Sequence, residues 1–219
     1  MQFDVITLFP EPIKAYFREG IIKRAQEDNL IEINVHDLRE WTDDRHQTVD
    51  DKPYGGGDGM VLKVKPIYKA VKEIKKEEQK SRVVLLSPRG KQFQQKIATN
   101  WSNVDQLILI SGRYEGIDER VAKYIADEII SVGPYVLMGG DLPAMIITEA
   151  VARLIPGVAG DEDWLENKTK EKGFRAYPQY TRPEVFETES EEWAVPKILL
   201  SGHHQKIEKW RQDHQDVIE

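Results

Sequence analysis

The first apolar run of the chain, Phe3 to Leu8, is stopped by Phe9-Pro10 and predicts a strand. Pro10 and Pro12 suit the first turn of a helix. The apolar spacing of Ile13, Tyr16, Phe17, Ile21, Ile22 and Ala25 predicts a helical segment broken near Gly20. A second strand is expected at Leu30 to Val35. Further along, helical spacing is read from Pro66 to about Lys80, a strand at Arg82 to Leu86, a helix at Gln92 to Trp101 and a fully apolar strand at Leu107 to Ile110. A helix around Glu119 to Ala126, a strand at Glu128 to Val132 and a helix from about Leu142 to Leu154 follow. Strands alternating with helices predict an α/β protein with a mostly parallel sheet flanked by helices.

Two stretches break the pattern. Residues 37–60 hold no sustained period, carry Asp43-Asp44-Arg45-His46 and Asp50-Asp51, and end in Pro53-Tyr54-Gly55-Gly56-Gly57-Asp58-Gly59-Met60. A segment this long without periodicity is uncommon in a compact domain unless it binds something or is disordered. Beyond Pro156-Gly157, residues 160–176 are dominated by charge and read as an exposed linker. After Pro178 apolar residues return, with a helix expected from about Gln205 to Gln215. The reading is therefore a domain over 1–159, a charged linker over 160–176 and a small helical carboxyl-terminal domain over 177–219.

Composition narrows the chemistry. Hydrophobic residues make up 40 % and charged residues 32 % of 219, which suits a soluble globular protein. The absence of cysteine excludes disulfides, thiolate nucleophiles and cysteine-ligated zinc. No apolar run reaches the roughly 18 to 20 residues of a membrane helix and no secretory leader is visible, so a cytoplasmic protein is expected. The net charge of −7 argues against indiscriminate nucleic-acid binding but leaves room for a local basic surface.

Candidate chemistry sits on three glycine-rich turns, at 55–59, 112–116 and 133–140. The second follows the apolar strand 107–110 directly as Ser111-Gly112-Arg113-Tyr114-Glu115-Gly116-Ile117-Asp118-Glu119-Arg120. Open α/β sheets keep their ligands at the carboxyl ends of their strands, although any one glycine could simply make a tight turn. Neither G-x-x-x-x-G-K-[ST] nor a strand-borne G-x-G-x-x-G is present, which disfavours a nucleotide triphosphate cradle. With Leu85-Leu86-Ser87-Pro88 ending a third strand, three loops at one edge could hold a flat adenosine-like group.

The blocks Asp50-Asp51-Lys52-Pro53-Tyr54-Gly55-Gly56-Gly57, Gly112 to Arg120, Tyr135 to Met145, Arg153-Leu154-Ile155-Pro156-Gly157-Val158, Tyr180-Thr181-Arg182-Pro183 and Leu199 to His204 closely resemble the bacterial tRNA (guanine-N1)-methyltransferase family, in the family's order. The resemblance implies a trefoil-knotted α/β methyltransferase domain, a homodimer with active sites at the subunit interface, and S-adenosylmethionine as methyl donor. It implies tRNA as substrate, methylated at N1 of guanosine 37 where the preceding base is also guanosine. The carboxyl-terminal domain would bind tRNA.

Carried over residue by residue, the donor site comprises Leu85, Leu86, Ser87, Pro88, Gly112, Tyr114, Glu115, Val132, Gly133, Pro134, Tyr135, Val136 and Leu137, closed by Gly139 and Gly140. The leucines taken singly could equally be core. Guanine N1 carries a proton at neutral pH, so attack on a methyl group needs a general base at N1 and donors near O6. Arg153 matches the family's arginine beside the guanine, whereas its bare sequence context suggests a surface pair with Glu149. The family's base is a linker aspartate, and a gapless count from Pro156-Gly157 to Tyr180-Thr181-Arg182-Pro183 puts Lys168 there. A lysine keeps its proton to about pH 10 unless burial or a cation lowers its pKa, so Glu166 is the expected substitute. Magnesium is associated with the family's chemistry, and the sequence shows no metal site. Two rivals remain: a tRNA-binding relative that keeps the donor pocket but is catalytically impaired, and a knotted methyltransferase acting on another RNA.

Overall fold

The computed structural model describes residues 1–159 and 174–218. They fall into two compact units, Met1–Leu165 and Glu166–Glu219. The first is a mixed α/β unit around a five-stranded sheet. Its strands are β1 (Gln2–Thr7), β2 (Glu32–Asp37), β5 (Ser81–Gln92), β6 (Gln106–Ile110) and β7 (Glu128–Ser131), in the order β2-β1-β6-β5-β7. Every neighbouring pair is parallel.

The apolar runs have a simple physical cause. A strand covered on both faces alternates its side chains between two cores, so no polar position is left. In β6, Leu107 and Leu109 enter one core with Phe3 and Val5 of β1, while Ile108 and Ile110 enter the other with Ile6. The first core is closed by α1 (Pro10–Phe17), α2 (Gly20–Glu27), α4 (Gln95–Trp101) and α6 (Asp141–Ala152), through residues such as Phe17, Ala25, Trp101 and Ile147. The second is closed by α3 (Val64–Ile74) and α5 (Glu119–Tyr124), through Ile67, Val71 and Val121.

The structure departs from the sequence pattern most clearly in β5. Its apolar part ends at Leu86, as expected, but the strand continues through the polar Ser87 to Gln92. It pairs with β7 at Val84 to Leu86 and again at Lys91 and Gln92, with a register shift between. Ser87 to Gly90 thereby bulge out at the edge of the sheet, a conformation that hydrophobic periodicity does not encode. The α3 helix is shorter than expected because it stops at Ile74, ahead of the charged run that follows.

Residues 37–60 are less irregular than their sequence. A 3₁₀ turn spans Leu38–Trp41, and β3 (Asp50–Asp51) pairs antiparallel with β4 (Val61–Leu62). The segment is pinned by Asp43, whose carboxyl is bonded by Lys65 at 2.7 Å and by Lys69. Those two ammonium groups hold its pKa down to about 2.

In the second unit the expected helical domain is mixed in character. Helices Lys197–Leu200 and His204–Asp213 stand beside two short antiparallel pairs, β9 (Val185–Glu187) with β10 (Glu192–Ala194), and β8 (Phe174–Ala176) with β11 (Asp216–Ile218). The first pair turns on Thr188, whose N–H donates to the Glu191 carbonyl at 2.8 Å. Phe186 and Trp193 face one another across it with ring centroids 5.8 Å apart.

Candidate functional site

At the carboxyl ends of β6 and β7, beside the point where β5 bulges, three segments enclose a cavity of about 540 Å³. That lies within the roughly 300 to 1,000 Å³ of small-molecule clefts. Its wall includes Leu85 to Pro88 from the β5 bulge, Gly112, Tyr114 and Glu115 from the turn after β6, and Val132, Tyr135 to Leu137, Gly139 and Gly140 from the loop after β7. Gly133 and Pro134, also expected in the donor site, do not line it. There the Ser131 hydroxyl donates to the Gly133 carbonyl at 2.8 Å, and the Tyr135 ring covers the glycine so closely that a Cβ would lie 2.3 Å from Cε1.

The loops are built to approach one another. The Gly140 N–H donates to the Gly112 carbonyl at 2.9 Å, and a Cβ on Gly140 would meet the Gly112 nitrogen and Ser111 Cα at 2.9 Å each. Tyr114 adopts φ +58, a left-handed conformation uncommon for an aromatic residue and typical of constrained sites. The β3–β4 segment docks on the same turn. Glu115 N–H donates to Met60 O at 3.1 Å, Leu62 N–H to Gly116 O at 3.0 Å and Asp118 N–H to Leu62 O at 3.0 Å. Gly59 has to be a glycine here, since its φ is +81 and a Cβ would lie 2.5 Å from Glu115 Cγ.

Electrostatics at the cleft follow from its pairings. Arg89 is bonded to Glu119, and Arg113 to Asp141, which stands behind the wall at the first turn of α6. Among the described residues Glu115 is the one charged group of the wall without an ion-pair partner. The cleft therefore carries a surplus negative charge, which suits a cationic ligand.

Sequence reasoning overlooked Thr7, Phe9, Arg113 and Asp141. Asp141 accepts hydrogen bonds from Thr7 Oγ1 at 2.6 Å, Ser111 Oγ at 2.5 Å and Arg113 Nε at 2.9 Å, while the Arg113 guanidinium lies 4.7 Å from the centroid of the Phe9 ring. An acidic residue opening a helix straight after two glycines was the available signal.

Arg153 lies elsewhere. It caps the carboxyl end of α6, its N–H donating to Glu149 O at 3.1 Å, whereas the cleft is at the amino end of that helix. At 1.5 Å per residue, Gly140 and Arg153 are separated by roughly 20 Å along the axis. The Glu149 carboxylate accepts a hydrogen bond from the Tyr16 hydroxyl and raises the pKa of that phenol. Glu166 and Lys168 lie outside the described residues. Near the 55–59 turn, Lys65 is bonded to Asp43 and Lys63 sits 3.7 Å from Asp51, while Tyr54 is fully exposed at the tip of its loop. In the second unit Arg211 lies 5.1 Å from the Tyr177 ring centroid. Among the described residues no three His, Cys, Asp or Glu side chains gather to hold a metal ion, and no helix is long and apolar enough to cross a membrane.

A family model described as "tRNA (Guanine-1)-methyltransferase TrmD" matches residues 1–217. Curated relatives include three proteins named tRNA (guanine-N(1)-)-methyltransferase. The one from Dictyoglomus turgidum is 53 % identical over 96 % of this chain and 83 % of its own length. That from Carboxydothermus hydrogenoformans is 49 % identical over 96 % and 81 %, and that from Ruminiclostridium cellulolyticum 48 % identical over 96 % and 89 %.

Proposed function

The chain belongs to the tRNA (guanine-1)-methyltransferase family, and from that premise we propose that it transfers a methyl group from S-adenosylmethionine to N1 of guanosine 37 in the tRNA anticodon loop. The observation that carries the proposal is the cleft. It joins apolar walls for an adenosine group to a surplus carboxylate at Glu115 for a cationic donor. Leu86, Pro88 and Leu137 would sandwich the adenine, and backbone groups of Tyr135 and Leu137 would read its edge. The donor, when bound, supplies a methyl carbon activated by its positive sulfur.

The protein's own task is to prepare guanine N1. The base must leave its stack to expose its pairing edge. Arg153 then offers its planar guanidinium to O6, where negative charge gathers as the N1 proton departs. Glu166 takes that proton. With Lys168 where the family carries its aspartate, Glu166 is the nearest carboxylate in sequence. Glu166→Gln is expected to lower single-turnover methylation by ~10²- to 10⁴-fold and to remove the acidic limb of the pH-rate profile. An unchanged rate would eliminate Glu166 as the base.

We further propose a homodimer whose sites draw on both chains. Two observations support it. Arg153 cannot reach the cleft of its own chain along α6, and the outer face of that helix is apolar over its first half, with Leu142 57 % and Ile146 46 % exposed, before the exposed Glu149. Val136 and Met138 of the adjoining loop are also uncovered, at 82 % and 89 %. Contiguous apolar surface of this kind is normally covered by a partner. The trefoil knot belongs to the same proposal, as the fold that the family resemblance implies for this parallel sheet. Domain limits of 1–159, 160–176 and 177–219, with tRNA bound by the last, complete the reading.

The direct test is transfer of a labelled methyl group to unmodified tRNA carrying guanosine at positions 36 and 37. Product on that tRNA supports the proposal. Donor binding without product would favour an impaired tRNA-binding relative, the reading that Lys168 supports, and product only on another RNA would redirect the substrate.

A further inference from the structure

The Asp141 carboxylate bridges three elements at the floor of the cleft. Thr7 ends β1, Ser111 follows β6, and Arg113 belongs to the turn beyond it; all three donate to Asp141. The Asp141 side chain is only 9 % exposed and that of Arg113 27 %, so the pair is largely shielded from bulk water. Arg113 itself lines the cavity, and its aliphatic stem is packed so close to Gly139 that a Cβ there would lie 2.5 Å from Cδ. A bare guanidinium in that wall would cancel the surplus charge of Glu115. The forked pair with Asp141 prevents this, because two opposite charges in contact present little net field to a third.

We propose that Asp141, acting through Arg113, sets the charge of the cleft so that it holds a cationic sulfonium ligand in preference to the neutral thioether left after methyl transfer. This deepens the reading of the cleft as a methyl-donor site and rests on it. Asp141 is a positioning residue: it does not line the cavity. Its hydroxyl partners keep the carboxylate aimed at Arg113, and Arg113 carries the effect to the ligand. The consequence is functional, since the loss of positive charge on the ligand would itself favour its release.

The test compares dissociation constants of S-adenosylmethionine and S-adenosylhomocysteine by calorimetry on the full chain. Asp141→Asn keeps acceptors for Thr7 and Ser111 but leaves Arg113 uncompensated. It should shift the ratio of the two constants roughly tenfold against the sulfonium compound. Arg113→Met should move the ratio the other way, and the double variant should restore it. A merely structural tie would weaken both ligands alike, so an unchanged ratio in Asp141→Asn overturns the proposal whatever the absolute affinities. If that variant does not fold, Arg113→Met decides alone: a shift toward the sulfonium compound supports the proposal and no shift overturns it. A wild-type protein that binds neither compound would instead refute the donor site, and this inference with it.

Discussion

Replacing Gly90 with alanine is expected to destabilise the first unit by about 3 kcal/mol, more than the same change at the exposed Gly56. The reason is backbone rather than conformation. A Cβ at Gly90 would lie 2.5 Å from the Ile130 nitrogen, 2.6 Å from the Ile129 carbonyl carbon and 2.7 Å from its oxygen, all main-chain atoms of β7. No rotamer change relieves such a contact, so β5 and β7 must separate where β5 resumes its pairing at Lys91. Gly56 is the contrasting control. It has φ +79 but nothing within 4 Å of its added Cβ, so alanine there should cost only the roughly 1 to 2 kcal/mol of a left-handed residue. Urea unfolding midpoints at constant slope would measure both. Because Ser87 and Pro88 lie on the bulge that Gly90 anchors, the alanine variant should also lose donor affinity. A Gly90→Ala protein as stable as Gly56→Ala would mean that β5 does not pass so close to β7.

The contrast with Gly90 shows what a sequence can disclose. The central strand was legible because burial on both faces forces every residue of Leu107 to Ile110 to be apolar. The turn after it was legible because glycines and charges crowd the end of an apolar run. The second half of β5 was not, since Ser87 to Gln92 owe their pairing to a neighbouring strand and not to any periodicity of their own. Asp141 was hidden for a related reason. Its partners Thr7, Ser111 and Arg113 are up to 134 residues away, and only the folded sheet edge brings them to one carboxylate. The family resemblance pointed to three stretches that reach the cleft wall, at Leu85 to Pro88, Gly112 to Glu115 and Val132 to Gly140, but missed wall residues such as Arg89, Arg113, Glu119 and Pro143. That Arg153 stands at the opposite end of α6 from that wall follows instead from the helix expected over Leu142 to Leu154 and its rise per residue.

That separation leads to the second large effect. Arg153→Ala and Leu137→Arg are each expected to reduce methylation by ~10²-fold or more, the first by removing the donor to O6 and the second by placing a cation in the wall of the cleft. Leu137 is 37 % exposed, so its replacement should spare the core. If one chain supplies the cleft and its partner supplies Arg153, co-refolding the two inactive variants repairs one site in every mixed dimer. The intact cleft of the Arg153→Ala chain then faces the intact Arg153 of the Leu137→Arg chain. Random pairing makes about half the dimers mixed, with one working site of two, so activity should return to about a quarter of the wild-type level. Were Arg153 to serve the cleft of its own chain, every site in the mixture would lack one component and no activity would return. Light scattering on the same samples separates this outcome from a failure to dimerise. Recovery without dimers would contradict the shared site, because only a partner can bring an arginine across the roughly 20 Å that α6 imposes.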